Sequence, residues 1–116
     1  MADDEQERRA RLAANEAVYR AVNEQIEELN RTLLASVAEK SLPMVCECAN
    51  MNCAEPLSVE PKTYEHVRSD PTWFLVRSGH EVPDVEVIVE THDGFNVVCK
   101  NKAPGKQVAQ QTDPRR

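Results

Sequence analysis

Along the first third of the chain, apolar side chains recur at alternating spacings of three and four residues. Leu12, Tyr19, Val22, Ile26, Leu29 and Leu33 make one stripe, with Asn15 as its only polar interruption. That period belongs to an amphipathic α-helix. Between Asp4 and Ser41 there is no Gly or Pro, and strong helix formers dominate. Acidic residues stand four positions before basic ones at Asp4/Arg8, Glu5/Arg9, Glu7/Arg11, Glu16/Arg20 and Glu27/Arg31. Pairs in this order stabilise a helix surface by about 0.2–0.5 kcal/mol each. The acidic start also suits the helix dipole. The pattern predicts one helix over residues 4–41, roughly 50 Å long, which Pro43 brings to an end.

Beyond Pro43 the period shortens. Met44-Val45-Cys46 and Leu57-Ser58-Val59 read as short strands, and Pro61 opens a short helix to Arg68 that Asp70-Pro71 terminates. Trp73-Phe74-Leu75-Val76 reads as a buried strand. Val85 to Glu90 alternates with β-branched residues and runs through His92-Asp93-Gly94 into Phe95-Asn96-Val97-Val98-Cys99. Asp-Gly between two such runs is a strong hairpin signal. The final stretch is polar and without periodicity. The expected fold class is therefore α+β, in three parts: an N-terminal helical arm over 1–42, a compact α+β domain over 43–100, and a flexible polar tail over 101–116.

Composition narrows what such a chain can do. Aromatic residues make up 4% of it, so the core is small and aliphatic, and the formal net charge is -6. The excess of acid is largest over 43–100, with 10 acidic against 4 basic residues. Nucleic-acid binding needs clustered Lys and Arg to neutralise phosphates, and anionic membrane surfaces ask for the same. Direct contact with either is not expected. Met1-Ala2-Asp3-Asp4-Glu5 is unlike a signal peptide, and no apolar run approaches the roughly 18 residues of a membrane span. The expected location is the cytoplasm, where cysteines bind metal more readily than they form disulfides.

The chemistry concentrates in Cys46-Glu47-Cys48-Ala49-Asn50-Met51-Asn52-Cys53, followed at a distance by Gly79-His80-Glu81. Three thiolates and one imidazole suit a tetrahedral structural zinc site. A domain of this size buries too little apolar surface to be stable without a staple, and metal-binding free energy becomes folding free energy. The fourth ligand ranks in the order His80, Cys99, His66, His92. His80 sits in a loop that can turn inward, Cys99 reads as a buried strand residue, and the other two read as solvent-facing. A catalytic zinc would keep an open position, with Glu81 or Glu47 as a conceivable base; three thiolates weigh against that. Oxidation of the thiolates would make a redox switch.

The motifs Asn23-Glu24-Gln25-Ile26-Glu27-Glu28-Leu29-Asn30, Cys46-Glu47-Cys48 and Tyr64-Glu65-x-Val67-Arg68 belong to this picture. So do Gly79-His80-Glu81-Val82-Pro83, Gly94-x-x-Val97-Val98-x-Lys100 and Thr112-Asp113-Pro114-Arg115. In these the chain resembles a small actinobacterial zinc-binding family. The resemblance implies Cys46, Cys48, Cys53 and His80 as the metal set and no particular activity. Cys99 stands where similar sequences carry another residue, and Glu60-Pro61 replaces a Thr-led helix start. The reading as a whole is a non-catalytic zinc-binding regulatory or adaptor protein. Its helix, through Leu12, Tyr19, Val22, Ile26, Leu29 and Leu33, either folds back to complete the core of its own domain or, the favoured reading, docks onto a protein or ribonucleoprotein partner, or onto a second copy as a homodimer or coiled coil. The alternative is a zinc-dependent nucleic-acid-associated factor in transcription or translation.

Overall fold

β-Branched and aromatic residues fit a pleated, half-buried surface, and from Trp73 onward they build the central sheet. The structure, a computed structural model, describes residues 2–33, 41–48, 50, 53 and 55–115. Its elements in chain order are α1 (Ala2–Leu33), β1 (Leu42–Val45), β2 (Pro56–Val59), α2 (Pro61–Arg68), β3 (Trp73–Arg77), β4 (Val87–Thr91), β5 (Phe95–Cys99) and α3 (Gly105–Gln111). This is the α+β class that the alternation of periods predicts. The expected run of α1 through residues 34–40 lies outside the described residues.

Strands β3, β5 and β4 form an antiparallel sheet in that order, with β5 central and Phe74 opposite Val98. The β4–β5 turn rests on Gly94, whose φ of 87° side chains rarely allow. The expected strand from Val85 starts later, at Val87. Pro83 places Val85 and Glu86 in a turn, where their N–H groups donate to the Val82 carbonyl. β1 and β2 make a separate antiparallel pair, Leu42 opposite Val59. Their inward residues Leu42, Met44, Leu57 and Val59 join Tyr64, Val67, Phe74, Leu75, Val76, Val97 and Val98 in one aliphatic core. β4 is the edge strand, with Val87, Ile88 and Val89 exposed.

Helix α1 overturns the simplest reading of its own pattern. The face it buries is Ala13, Glu16, Arg20, Asn23, Glu27 and Asn30, while Val18, Val22 and Leu29 are exposed. The buried set is the apolar stripe shifted by one residue, about 100° around the helix. Nor does the helix stand off as an arm, because it packs along β1 and α3 of its own chain. The physical reason is specific polar pairing. Asn23 Oδ1 accepts the Val45 N–H at 2.8 Å and its Nδ2 donates to the Val45 carbonyl at 2.8 Å, so one side-chain amide pairs with a strand residue as another strand would. Arg20 lies over the Phe74 ring and donates to the Pro71 and Ala109 carbonyls at 2.5 and 2.8 Å. Glu16 and Arg20, expected to pair along the helix, thus find other partners.

Glu16 and Glu86 both bond Lys100, at the end of β5, and all three side chains are buried. One lysine facing two carboxylates leaves an excess negative charge in the core. Burial pushes the Glu16 carboxyl up from 4.5 to about 8, against the pull of Lys100.

The expected tail, 101–116, carries helix α3, which buries Ala109. Beyond it, Arg115 donates to Glu24 at 2.8 Å and to both oxygens of Glu65 at 2.6 and 3.1 Å, tying α1 to α2. A short helix with little apolar content has no period of its own. The contacts with α1 supply the order that the sequence pattern lacks.

Two predictions follow from the docking of α1. Asn23→Leu, which enlarges the apolar content of the helix, leaves both polar groups of Val45 unpaired. It destabilises the fold by about 2–4 kcal/mol in chemical denaturation, whereas Leu29→Gln changes stability by less than about 0.5 kcal/mol. The second concerns pH. Folding takes up a proton at Glu16, so that contribution is complete below the unfolded value of 4.5 and is lost as pH rises through about 8. Melting curves between about pH 4.5 and 8 should show this fall, and Glu16→Gln should flatten it.

Candidate metal centre

The site is assembled by an extended segment, a short loop and a turn. After β1 the chain continues extended through Cys46, Glu47 and Cys48, and the Glu47 N–H donates to the Leu75 carbonyl at 2.7 Å, along the edge of β3. Successive side chains of an extended segment point to opposite sides. Two sulfurs therefore face one way and a carboxylate the other. Cys53 returns beneath them, its N–H donating to the Asn50 carbonyl at 3.0 Å. The fourth residue comes from the turn after β3. Gly79 there has a φ of 93°, and the His80 N–H donates to the Arg77 carbonyl at 2.9 Å.

These pieces bring Cys46, Cys48, Cys53 and His80 together, with one ligand atom from each lying within 4.8 Å of the others. His80 Nδ1 is 3.6 Å from Cys46 Sγ and 3.5 Å from Cys53 Sγ. A tetrahedral ion with metal–sulfur bonds of about 2.3 Å and metal–nitrogen bonds of about 2.05 Å would hold sulfur and nitrogen about 3.6 Å apart. The spacing is that of ligands around a shared centre, and the four residues could hold a metal ion. Cys99 stands elsewhere, 3.4 Å from the Thr72 hydroxyl. His66, on α2, and His92, just beyond β4, stand apart from the site, both against Glu90.

Burial at the sulfurs disfavours bare thiolates. Burial pushes the thiols of both Cys46 and Cys48 above the ordinary value, opposed at Cys46 by the Arg77 N–H, which donates to Sγ at 3.1 Å. Without a cation these thiols keep their protons. A metal must displace them, so its binding weakens as pH falls. An open cavity of about 360 Å³ borders the site, lined by Leu12, Cys48, Asn50, Gly79, His80 and Val82.

Glu47, weighed in the sequence only as a conceivable base, has a different part in the structure. It is wholly buried. Its carboxylate accepts Arg68 Nη1 at 2.8 Å and Nη2 at 3.1 Å, the Leu75 N–H at 2.9 Å and Asn23 Nδ2 at 2.7 Å. Burial works against the charge of Arg68, but Glu47 more than offsets it and raises the guanidinium above its ordinary value. Arg68 also donates to the Trp73 carbonyl at 3.0 Å. The segment carrying two of the four ligands is thereby bolted to α2, β3 and α1 from behind. One signal was available: a carboxylate confined between two ligands of an extended segment has to face away from them. Glu81, considered as a base, instead closes its own turn, accepting the Gly79 N–H at 3.1–3.2 Å and Asn96 Nδ2 at 3.3 Å.

Comparison with protein-family models, curated proteins and solved structures finds no match for the chain.

Glu47→Gln removes the charge that Arg68 needs without touching a ligand. It is expected to cost about 3–5 kcal/mol of stability and to weaken metal binding by about 10–100-fold. Denaturation and competition with a chelator measure the two effects. Unchanged metal affinity in a folded variant would show that the anchor does not position the ligands.

Proposed function

We propose that this chain is a non-catalytic, zinc-stapled docking protein, which binds one zinc ion and presents the outward stripe of α1 to a helix of a protein partner. Zinc is favoured by the donor set, since three thiolates and an imidazole match a closed structural site. Four protein ligands fill a tetrahedron and leave no position for water or substrate, which argues against a catalytic ion. The resemblance to an actinobacterial zinc-binding family agrees with this and rests on the motifs alone.

The observation that carries the docking role is the inversion of α1. Val18, Val22 and Leu29 are 60%, 38% and 58% exposed on a helix whose inward face is polar. Burying an exposed side chain of this size is worth about 1.5–3 kcal/mol. Their spacings of four and seven residues keep them on one face of the helix, as packing against another helix requires. A net charge of -6 speaks against a nucleic-acid partner.

One experiment tests both halves. A photo-crosslinker at position 29 of the intact chain is activated in cells, with zinc content read by native and denaturing mass spectrometry. The expected result is one zinc per chain with a sulfur-rich shell by X-ray absorption, and a discrete adduct mapping to a partner helix. The adduct disappears with Val22→Glu and persists with Gln6→Ala on another face. A metal-free chain would overturn the staple. A crosslink pattern indifferent to Val22→Glu would overturn the docking surface.

A further inference from the structure

The three sulfurs of the metal centre are not equivalent. Of them, Cys48 lines the open cavity of about 360 Å³ beside the site, whose walls also include Leu12 and Val82. Cys46 is buried, and its Sγ accepts the Arg77 N–H at 3.1 Å. Cys53 is half-buried and returns from the loop beyond. A cavity of this volume admits a molecule of a few heavy atoms. Cys48 therefore carries the sulfur that a small solute meets.

The backbone divides the sulfurs in the same way. Arg68, the Leu75 N–H and Asn23 hold Glu47, and so fix Cys46 and Cys48 on either side of it. Two residues apart in an extended segment, their β-carbons stand about 6.6 Å from each other. A disulfide needs roughly 3.5–4.5 Å, so these two cannot join while the anchor holds. Cys53 is under no such limit. Its ligand atom lies within 4.8 Å of that of Cys48, and closing to a sulfur–sulfur bond asks for a shift of less than about 3 Å.

We infer that Cys48 and Cys53 form an oxidation site, at which a small hydroperoxide such as hydrogen peroxide exchanges the zinc staple for a Cys48–Cys53 disulfide. This modification presupposes the zinc centre proposed above and adds its regulation. A zinc-bound cysteine is a thiolate, the form that peroxides attack. The Cys48 sulfur bonds one peroxide oxygen as the O–O bond breaks, giving a sulfenic acid. Two electrons pass from sulfur to peroxide, and the departing hydroxide takes a proton and leaves as water. The Cys53 thiolate then attacks the Cys48 sulfur. The S–S bond forms, the S–O bond breaks, and a second hydroxide is protonated to water. In sum, two thiolates, one peroxide and two protons give one disulfide and two waters. With two of its four ligands consumed, the centre no longer holds zinc, while the anchor at Glu47 persists.

The test uses the full chain, shown by native mass spectrometry to carry one zinc, and treats it with hydrogen peroxide beside a chromogenic chelator. One equivalent of zinc should be released as the denatured mass falls by about 2 Da, and peptide mapping should place the disulfide between Cys48 and Cys53. A thiol reductant with added zinc should restore the starting state. Val82→Trp, which fills the cavity without touching a ligand, should slow release by about tenfold at unchanged zinc content and circular dichroism. Cys99→Ser should leave the rate as it is. Zinc retained against excess peroxide would overturn the inference, as would a disulfide mapping to another pair. So would a release rate indifferent to a folded, zinc-loaded Val82→Trp. Mapping on the unaltered chain decides the outcome even where that variant fails to fold. Failure of the staple itself would appear earlier, as a chain without zinc before peroxide is added.

Discussion

A carboxylate wholly buried in an aliphatic core has to be matched where it lies, and the match between Glu47 and Arg68 sets the arrangement of everything around it. Removing such a charge from water costs several kcal/mol, and only a full set of donors makes the position tenable. Arg68, the Leu75 N–H and Asn23 form that set. They come from α2, β3 and α1, so the requirement for complete pairing fixes three elements relative to one residue. Because the neighbours of Glu47 are Cys46 and Cys48, the same requirement fixes two metal ligands. The core and the metal centre meet in three consecutive residues.

The buried face of α1 extends this logic. Hydrophobic contact is nondirectional, so an apolar stripe against an aliphatic sheet would leave rotation and axial position loosely specified. Asn23 at Val45, Arg20 at Pro71 and Ala109, and Glu16 at Lys100 each accept little displacement. A fully satisfied polar network can specify one arrangement where apolar packing would allow several. What it leaves facing outward is Val18, Val22 and Leu29, while Ile26 of the same helix packs against the core, and the docking proposal stands on those three residues.

The parts of this architecture legible in the sequence are those governed by local chemistry. Alternation from Phe95 to Cys99, Asp93-Gly94 at the turn and Pro61 at the start of α2 each act within a few residues, and β5 and α2 fall where these signals put them, while β1 and β4 are offset by two residues. The cysteine and histidine donors were legible because ligand type constrains metal choice before geometry does. The face of α1 was not. Hydrophobic patterning ranks faces by apolar content, whereas Asn23 bonds a residue 22 positions away and Glu16 one 84 positions away. Glu16, Arg20, Asn23, Glu27 and Asn30 share a three-and-four spacing. A polar stripe of that regularity reads as a solvated face until the partners are known. Helix α3 was hidden for a related reason, since its order depends on α1 and hardly on its own seven residues.

The carbonyls that receive α1 imply an order of assembly. Those of Val45, Pro71 and Ala109 belong to β1, the turn before β3, and α3. They stand in a row only after those elements have come together. A helix held by apolar contact could have joined an early collapse, but one held by these groups has nothing to bind until the rest is built. Docking of α1 is thus a closing step on the folding pathway.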